Sequence, residues 1–257
     1  MNREFQNTKP FIILINLLRT MFDEINMRFE IGEKKSIKIM EMDHSRSILA
    51  LIKFSESYLK QFNYKSDKIN IGFNTDELYK KLSELYGKIK HTVSPLSLKV
   101  EQQNDTPSAI TTMKLGTINF KNELFLLDLN SAGLMIPQTA FDVSVTMERN
   151  TVYDLCHKIK VMKNAHTKIK LIGDQISFVL KNDISSIKQT YDCQRNDDVN
   201  TIKLLFDSVL LLCLLSGCAK LSDEIKIYLK HDFPMCIRND IKDVGTMTLF
   251  LSPYANQ

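Results

Sequence analysis

Apolar residues along this chain recur with two periods, and the periods change places in an orderly way. Phe11, Leu14, Ile15, Leu18, Phe22 and Ile25 share one face of a 3.6-residue repeat, with Asn16, Arg19, Thr20 and Asp23 off it, which predicts a first helix. A second follows Asn74-Thr75-Asp76-Glu77, whose side chains suit a helix start. Leu78, Leu82 and Leu85 form its stripe, and Gly87 is placed to end it. A third follows Asn150-Thr151 with Val152, Leu155, Cys156 and Ile159 inward. A fourth is expected from Leu204 to Ser216, apolar on nearly every face and stopping at Gly217. Strand signals lie between. Phe141, Val143, Val145 and Met147 alternate with polar neighbours, as do Ile225, Ile227 and Leu229. Shorter runs are 37–42, 48–54, 69–73, 118–120, 169–172, 176–180 and 247–251. The order is helix, strands, helix, strands, and then the same again. Helix starts near 11 and 75 are echoed near 151 and 205, which points to two copies of one α+β unit. The expected division is 1–123, a connector at 124–137 ending in Pro137, and 138–257.

Composition narrows the classes. Of 257 residues, 44% are hydrophobic and 25% charged, so a folded core is expected. The formal net charge of +4 permits contact with nucleic acid without requiring it. Five cysteines with no C-x-x-C pair suggest neither a disulfide framework nor a zinc centre, and a reducing compartment is the simpler setting. The first ten residues lack the apolar stretch of a signal peptide, and the run around 204–215 is too short to span a bilayer, so no membrane partner is expected. Phosphate-binding glycine motifs, H-E-x-x-H and G-x-S-x-G are missing, and no two of the five histidines sit at i, i+4. His44 beside Asp43 and His231 beside Asp232 suit turns on a solvated surface better than acid–base pairs. The expectation is a protein without catalytic residues, metal or cofactor.

Three stretches carry a resemblance. The first is Met42-Asp43-His44-Ser45-Arg46-Ser47 leading into the apolar run 48–54. The second is Leu127-Asp128-Leu129 through Leu134-Met135-Ile136-Pro137. The third is His231-Asp232-Phe233-Pro234, Ile241-Lys242-Asp243-Val244-Gly245 and Phe250-Leu251-Ser252-Pro253. In order and in spacing these resemble sliding clamps of the proliferating-cell-nuclear-antigen (PCNA) type: a Met-Asp turn, a Leu-x-Ile-Pro connector end, and Ile-Ala-Asp-Met-Gly and Tyr-Leu-Ala-Pro elements. The resemblance implies the clamp fold, two similar α+β domains that each pack two helices on antiparallel sheet. It also implies a homotrimeric ring with helices lining the hole and sheets outside, and a processivity factor that tethers DNA polymerase to double-stranded DNA.

It further implies a groove for partner peptides built from Met42, Arg46, Leu49, Leu134, Ile136, Pro137, Phe141, Pro234, Phe250, Leu251, Ser252 and Pro253. Arg46 stands where the family has histidine and Ser47 where it has valine, which alters the rim. The DNA-facing candidates are Lys9, Arg19, Lys80, Lys81, His157, Lys158, Lys160 and Lys220. Leu210 and Gly217 carry no charge where clamps carry Lys or Arg, and Asp154 is acidic, so fewer phosphate contacts are expected in the second domain. Subunits would join through edge strands near 118–125 and 183–191. A clamp loader and proteins bearing PCNA-interacting peptides would be further partners. The expected location is the nucleus, or a cytoplasmic replication site if the source is viral, a source that the frequent Ile, Lys and Asn suggest. Two alternatives stay open: a monomeric or dimeric viral-type processivity factor, which the positive net charge favours, and a clamp-fold scaffold that does not encircle DNA.

Overall fold

The computed structural model describes residues 4–5, 8–31, 35–55, 58, 68–88, 96–103, 106–115, 118–127, 134, 136, 139–163, 166–195 and 201–254. Its first run of elements is β1 (Glu4–Phe5), α1 (Thr8–Leu18), β2 (Glu24–Ile31), β3 (Lys35–Met42), β4 (Ile48–Phe54), β5 (Lys68–Asn74), α2 (Thr75–Lys88), β6 (Leu96–Gln103), β7 (Thr106–Leu115) and β8 (Ile118–Phe125). The second run is β9 (Val143–Glu148), α3 (Arg149–Val161), β10 (His166–Ile172), β11 (Gln175–Lys181), β12 (Ser186–Asp192), β13 (Gln194–Arg195), β14 (Lys203–Asp207), α4 (Ser208–Leu221), β15 (Glu224–Leu229), β16 (Met235–Ile241) and β17 (Gly245–Leu251).

Apart from the two-residue β13, the second run copies the first element for element. The pairing is copied too. The order β1-β6-β7-β8 corresponds to β9-β15-β16-β17, and β4-β3-β2-β5 corresponds to β12-β11-β10-β14. Within these ladders neighbouring strands run antiparallel. The fold class is therefore α+β, with a duplicated unit.

Packing divides the chain into two compact units, 1–41 with 51–135 and 241–246, and 42–50 with 136–240 and 247–257. In the first unit Leu14, Ile15 and Leu18 of α1 are buried together with Ile25, Phe73 and Leu82. Here the Ser55 N–H donates to Val244 O at 2.8 Å. In the second unit Val152 and Leu155 of α3, Leu211 and Leu214 of α4, and Phe178 and Phe206 are fully buried. There the Ser252 N–H donates to Ser47 O at 2.8 Å, placing the end of β17 beside the start of β4.

Two expected helices have different bounds. The first ends at Leu18, because Thr20 to Asp23 turn the chain and Ile25 is a buried residue of β2 facing Phe73 in the ladder. The fourth starts four residues later than the periodicity suggests. Leu204 to Phe206 pair with β10, and the Asp207 carboxylate then caps the helix by accepting from Val209 N (2.7 Å) and Leu210 N (2.9 Å). Gly217 does not stop this helix but lies buried inside it, and Gly87 lies within α2. Asn74 is the equivalent cap of α2, its side-chain oxygen accepting from Glu77 N at 3.0 Å.

Candidate partner groove and nucleic-acid face

The groove candidates lie, with one exception, in the second unit. Asp43 organises the first segment. Its backbone oxygen accepts from Arg46 N (2.9 Å), its carboxylate accepts from Ile48 N (2.6 Å) and from the Ser45 hydroxyl, and its N–H donates to Ile48 O (3.0 Å). This closes a tight turn in which Arg46 takes a left-handed φ of 58°, exposing its side chain. Met42, 36% exposed, stands before the turn, and Ser47 joins it to Ser252. Leu49, Phe250 and Leu251 are buried, the last at 1% exposure, so they back the surface from within the core. Ile136, Phe141, Pro234, Ser252 and Pro253 are half-buried. Leu134, also half-buried, falls in the first unit, and Pro137 lies outside the described residues.

Around Phe141 the structure adds residues that the pattern did not single out. Phe141 packs on Tyr228 (centroids 5.6 Å) and edge-on to Phe233 (5.8 Å), and Arg238 sits over the Tyr228 ring at 5.4 Å. Lys230 Nζ donates to Thr139 Oγ1 (2.9 Å) and Ala140 O (3.2 Å), and Asp142 N–H donates to Leu229 O (3.0 Å). These bonds fix segment 139–142 against the end of β15. Tyr228 occupies a polar-side position of an alternating strand, so only its aromatic character could have flagged it.

The C-terminal stretch is fastened as well. Tyr254 N–H donates to Leu205 O (2.8 Å), its hydroxyl donates to Asp207 Oδ2 (2.9 Å), and its ring meets His166 edge-on at 5.1 Å. Burial pushes the Asp207 carboxyl upward, but the N–H groups of Leu210 and Val209 and the Tyr254 hydroxyl outweigh it and hold its pKa below the ordinary value. The same carboxylate raises the pKa of Tyr254.

On the helices, two candidate cations of the first unit, Arg19 and Lys80, are paired. Arg19 donates to Asn16 (2.8 Å), pairs with Asp76 (3.1 Å) and lies over the Tyr79 ring at 4.1 Å. Lys80 pairs with Glu77 at 2.9 Å and has Asp76 and Glu84 one turn away on either side. Lys81 is half-buried and Lys9 exposed. In the second unit Lys158 pairs with Asp154. His157 and Lys160, with Tyr153, fall on one exposed face of α3, and Lys220 is exposed in the last turn of α4. Val209 is 70% exposed, and Leu212, Cys213 and Ser216 are half-buried. Apart from Lys220, which lies in line with Val209, Cys213 and Ser216, this face of the helix carries no charge. Gly217 is not part of that face.

Among the described residues no three His, Cys, Asp or Glu side chains gather in a way that could hold a metal ion, and no helix is long and apolar enough to cross a membrane. The five cysteines are free, and burial pushes the Cys156 thiol up to about 12. His231 Nδ1 lies 3.0 Å from Asp232 Oδ2, both side chains exposed in a turn.

A duplicated α+β unit whose helices pair within each copy is the architecture of the sliding clamps. Residues 135–254 match the family model "Proliferating cell nuclear antigen, C-terminal domain". The chain is 25% identical to the DNA polymerase sliding clamp of Pyrococcus furiosus, over 97% of this chain and 96% of that one. It is 23% identical to a probable DNA polymerase sliding clamp of Acanthamoeba polyphaga mimivirus over 86% of its own length, but that match spans only about half, 47%, of the viral protein. The PCNA crystal structure from Entamoeba histolytica superposes with a TM-score of 0.81 at 18% identity, covering 99% of this chain and 98% of that one. That from Thermococcus kodakaraensis gives 0.80 at 19%, covering 98% and 99%. Residues 135–254 thus match the PCNA family, and the chain as a whole has the fold of PCNA-type clamps, with viral proteins among its relatives.

Proposed function

We propose that this protein is the subunit of a ring that encircles duplex DNA and tethers a DNA polymerase during replication and repair, without chemistry of its own. The observation that carries this is an imbalance between the copies. β17 and the start of β4 are neighbours, whereas their counterparts β8 and β12 are outer strands of their sheets among the described residues. An outer strand presents unpaired backbone donors and acceptors to another chain. Two unlike edges on one subunit make a head-to-tail contact, which repeats until the rotation closes. The resemblance to PCNA-type clamps implies a homotrimer, and that is the assembly proposed here, with working divisions at 1–123, 124–137 and 138–257.

Within the ring, the helix faces would meet phosphates without reading sequence. Because Arg19 and Lys80 are engaged within the first unit, the larger share of contact is assigned to His157, Lys160 and Lys220, with Lys158 released from Asp154. The expectation that the first domain dominates is revised accordingly. The groove around Met42, Arg46, Ile136, Phe141, Pro234 and the 250–253 segment would take peptides of polymerases and other replication proteins, with a clamp loader opening the ring. The place of action is the nucleus or a viral replication site.

The test is topological. Protein loaded on nicked circular duplex should survive a high-salt wash and be lost when the circle is linearised. Equal loss from circle and line would contradict encirclement. The groove is tested separately by calorimetry with a Gln-x-x-aliphatic-x-x-aromatic-aromatic peptide. Replacing the half-buried Ile136 and Phe141 by Ala should cost about 2 kcal/mol or more each, and unchanged affinity would remove the assignment. A reading without ring closure draws on the net charge of +4, and salt-resistant retention on circles separates the two.

A further inference from the structure

The sheet β12-β11-β10-β14 buries one face and leaves the other open. In β10 the buried residues are Thr167, Ile169 and Leu171, so Lys168 and Lys170 point to the opposite side. The registers carry that side across all four strands. Lys168 stands opposite Val179 and Leu205, Val179 opposite Lys188, Lys170 opposite Ser177 and Lys203, and His166 opposite Lys181. Lys168, Lys170, Lys181, Lys188 and Lys203 therefore share one face, four of them exposed and Lys170 half-buried.

Among the described residues none of the five makes an ion pair, so these charges go unanswered there. The acids on the same face are engaged elsewhere. Asp192 accepts from Gln175 Nε2 (2.9 Å), and Asp207 caps α4 and binds Tyr254. Lys170 directly opposite Lys203 is a like-charge cross-strand pair, which costs a sheet stability. Neighbouring strands are about 4.8 Å apart and alternate residues about 7 Å apart along a strand, inside the Debye length of about 8 Å at physiological salt. The charges therefore act as one field.

We infer that this sheet face binds the phosphate backbone of duplex DNA, a second nucleic-acid contact distinct from the helix faces. Charge complementarity selects a polyanion. The cations are all lysines, point charges that attract phosphate without demanding a bidentate geometry, and the Ser186 and Thr190 hydroxyls beside them are ordinary phosphate partners. Among the described residues the one aromatic ring on the face, His166, is packed against Tyr254, so the face offers no platform for stacking unpaired bases. Of its apolar residues Val179 and Leu205 are half-buried and Ile172, 52% exposed, stands alone at the end of β10, leaving little to anchor an acidic peptide. A regular array of charge on a flat surface fits the repeating charge of a duplex. This mode of binding stands whether or not the ring closes.

Acetylation footprinting of the full chain with and without a short blunt duplex is the first test. The five sheet lysines should be protected by DNA. Protection of Lys160 and Lys220 reports separately on the helix faces, so the two assignments can fail independently. The second test is anisotropy with the same duplex. The Lys168→Glu/Lys170→Glu/Lys203→Glu variant should weaken binding roughly tenfold or more, and the log–log salt slope should fall by about 0.9 for every phosphate that is no longer neutralised. The Lys→Gln counterpart, which avoids introducing acids, should show a smaller weakening of the same sign with thermal stability no lower than that of the parent, because it relieves the Lys170–Lys203 repulsion. Absence of protection at the sheet lysines would overturn the inference. So would duplex affinity unaltered in both variants, or tighter binding of poly-glutamate than of DNA by this face.

Discussion

The two copies of the unit use the same edges differently. β17 lies beside β4 within this chain, and where β17 begins against the end of β4 the approach is so close that a side chain at Gly245 would place its Cβ 2.0 Å from Lys53 O. The equivalent strands β8 and β12 stay at the rims of their sheets among the described residues. The helix pairs differ in a parallel way. α1 and α2 are stitched by Arg19, Asp76 and Tyr79 on their exposed surface, whereas α3 and α4 are joined by an apolar interior, by bonds to backbone, Tyr153 Oη to Ala219 O (3.3 Å) and Arg149 Nε to Ser222 O (3.1 Å), and by an Arg149–Asp223 ion pair (2.7 Å) at one end. Duplication thus repeats the topology, while one pair of edges is satisfied within the chain and the other stays open among the described residues.

Substitutions at matched positions can break that comparison. The largest effect is expected at Gly245, where φ is +150° and the space is filled by backbone. Gly245→Ala should cost about 3 kcal/mol, measured by chemical denaturation. A destabilisation below about 1 kcal/mol would mean that the strands separate easily.

Next come the two helix caps. Asp207→Ala should cost about 1–2 kcal/mol, since it removes both a helix cap and the anchor of Tyr254. Because the folded pKa of Asp207 is depressed, its contribution is present above the unfolded value of about 3.9 and lost as the pH falls through the lower folded value. The penalty should therefore shrink on acidification. Asn74→Ala, the matched change in α2, should cost about 1 kcal/mol with no such pH dependence. Parallel pH profiles for the two variants would refute the contrast. The smallest effect is expected at Arg19→Ala, below about 1 kcal/mol because the pair with Asp76 is largely exposed. It should fade in high salt, as a thermal melt series would show.

The duplicated order was legible in the sequence because amphipathic α1, α2 and α3 and the alternating strands β9 and β15 each obey one period. Legibility failed where periods abut. The apolar stripe through Phe22 and Ile25 runs from a helix into β2 without a polar break, and Leu204 to Phe206 read as helix because β14 is buried on its way into an apolar α4. Of the proposed groove, the sequence marks the Met-Asp turn and the Phe-Leu-Ser-Pro end, which the backbone joins through Ser47 and Ser252. Which side chains face outward was not legible: Leu49, Phe250 and Leu251 are core residues, and Tyr228 and Phe233 supply aromatic surface beside Phe141. The pairing of Arg19 and Lys80 with nearby acids, and the convergence of five lysines on one sheet face, depend on register and three-dimensional proximity that no linear pattern carries.

The open edges of β8 and β12 make the sharpest demand on the molecule. Light scattering at micromolar concentration should give a particle of about three times 29.7 kDa, the mass of one chain. A mass of 29.7 kDa that persists as the concentration is raised would contradict the head-to-tail assembly.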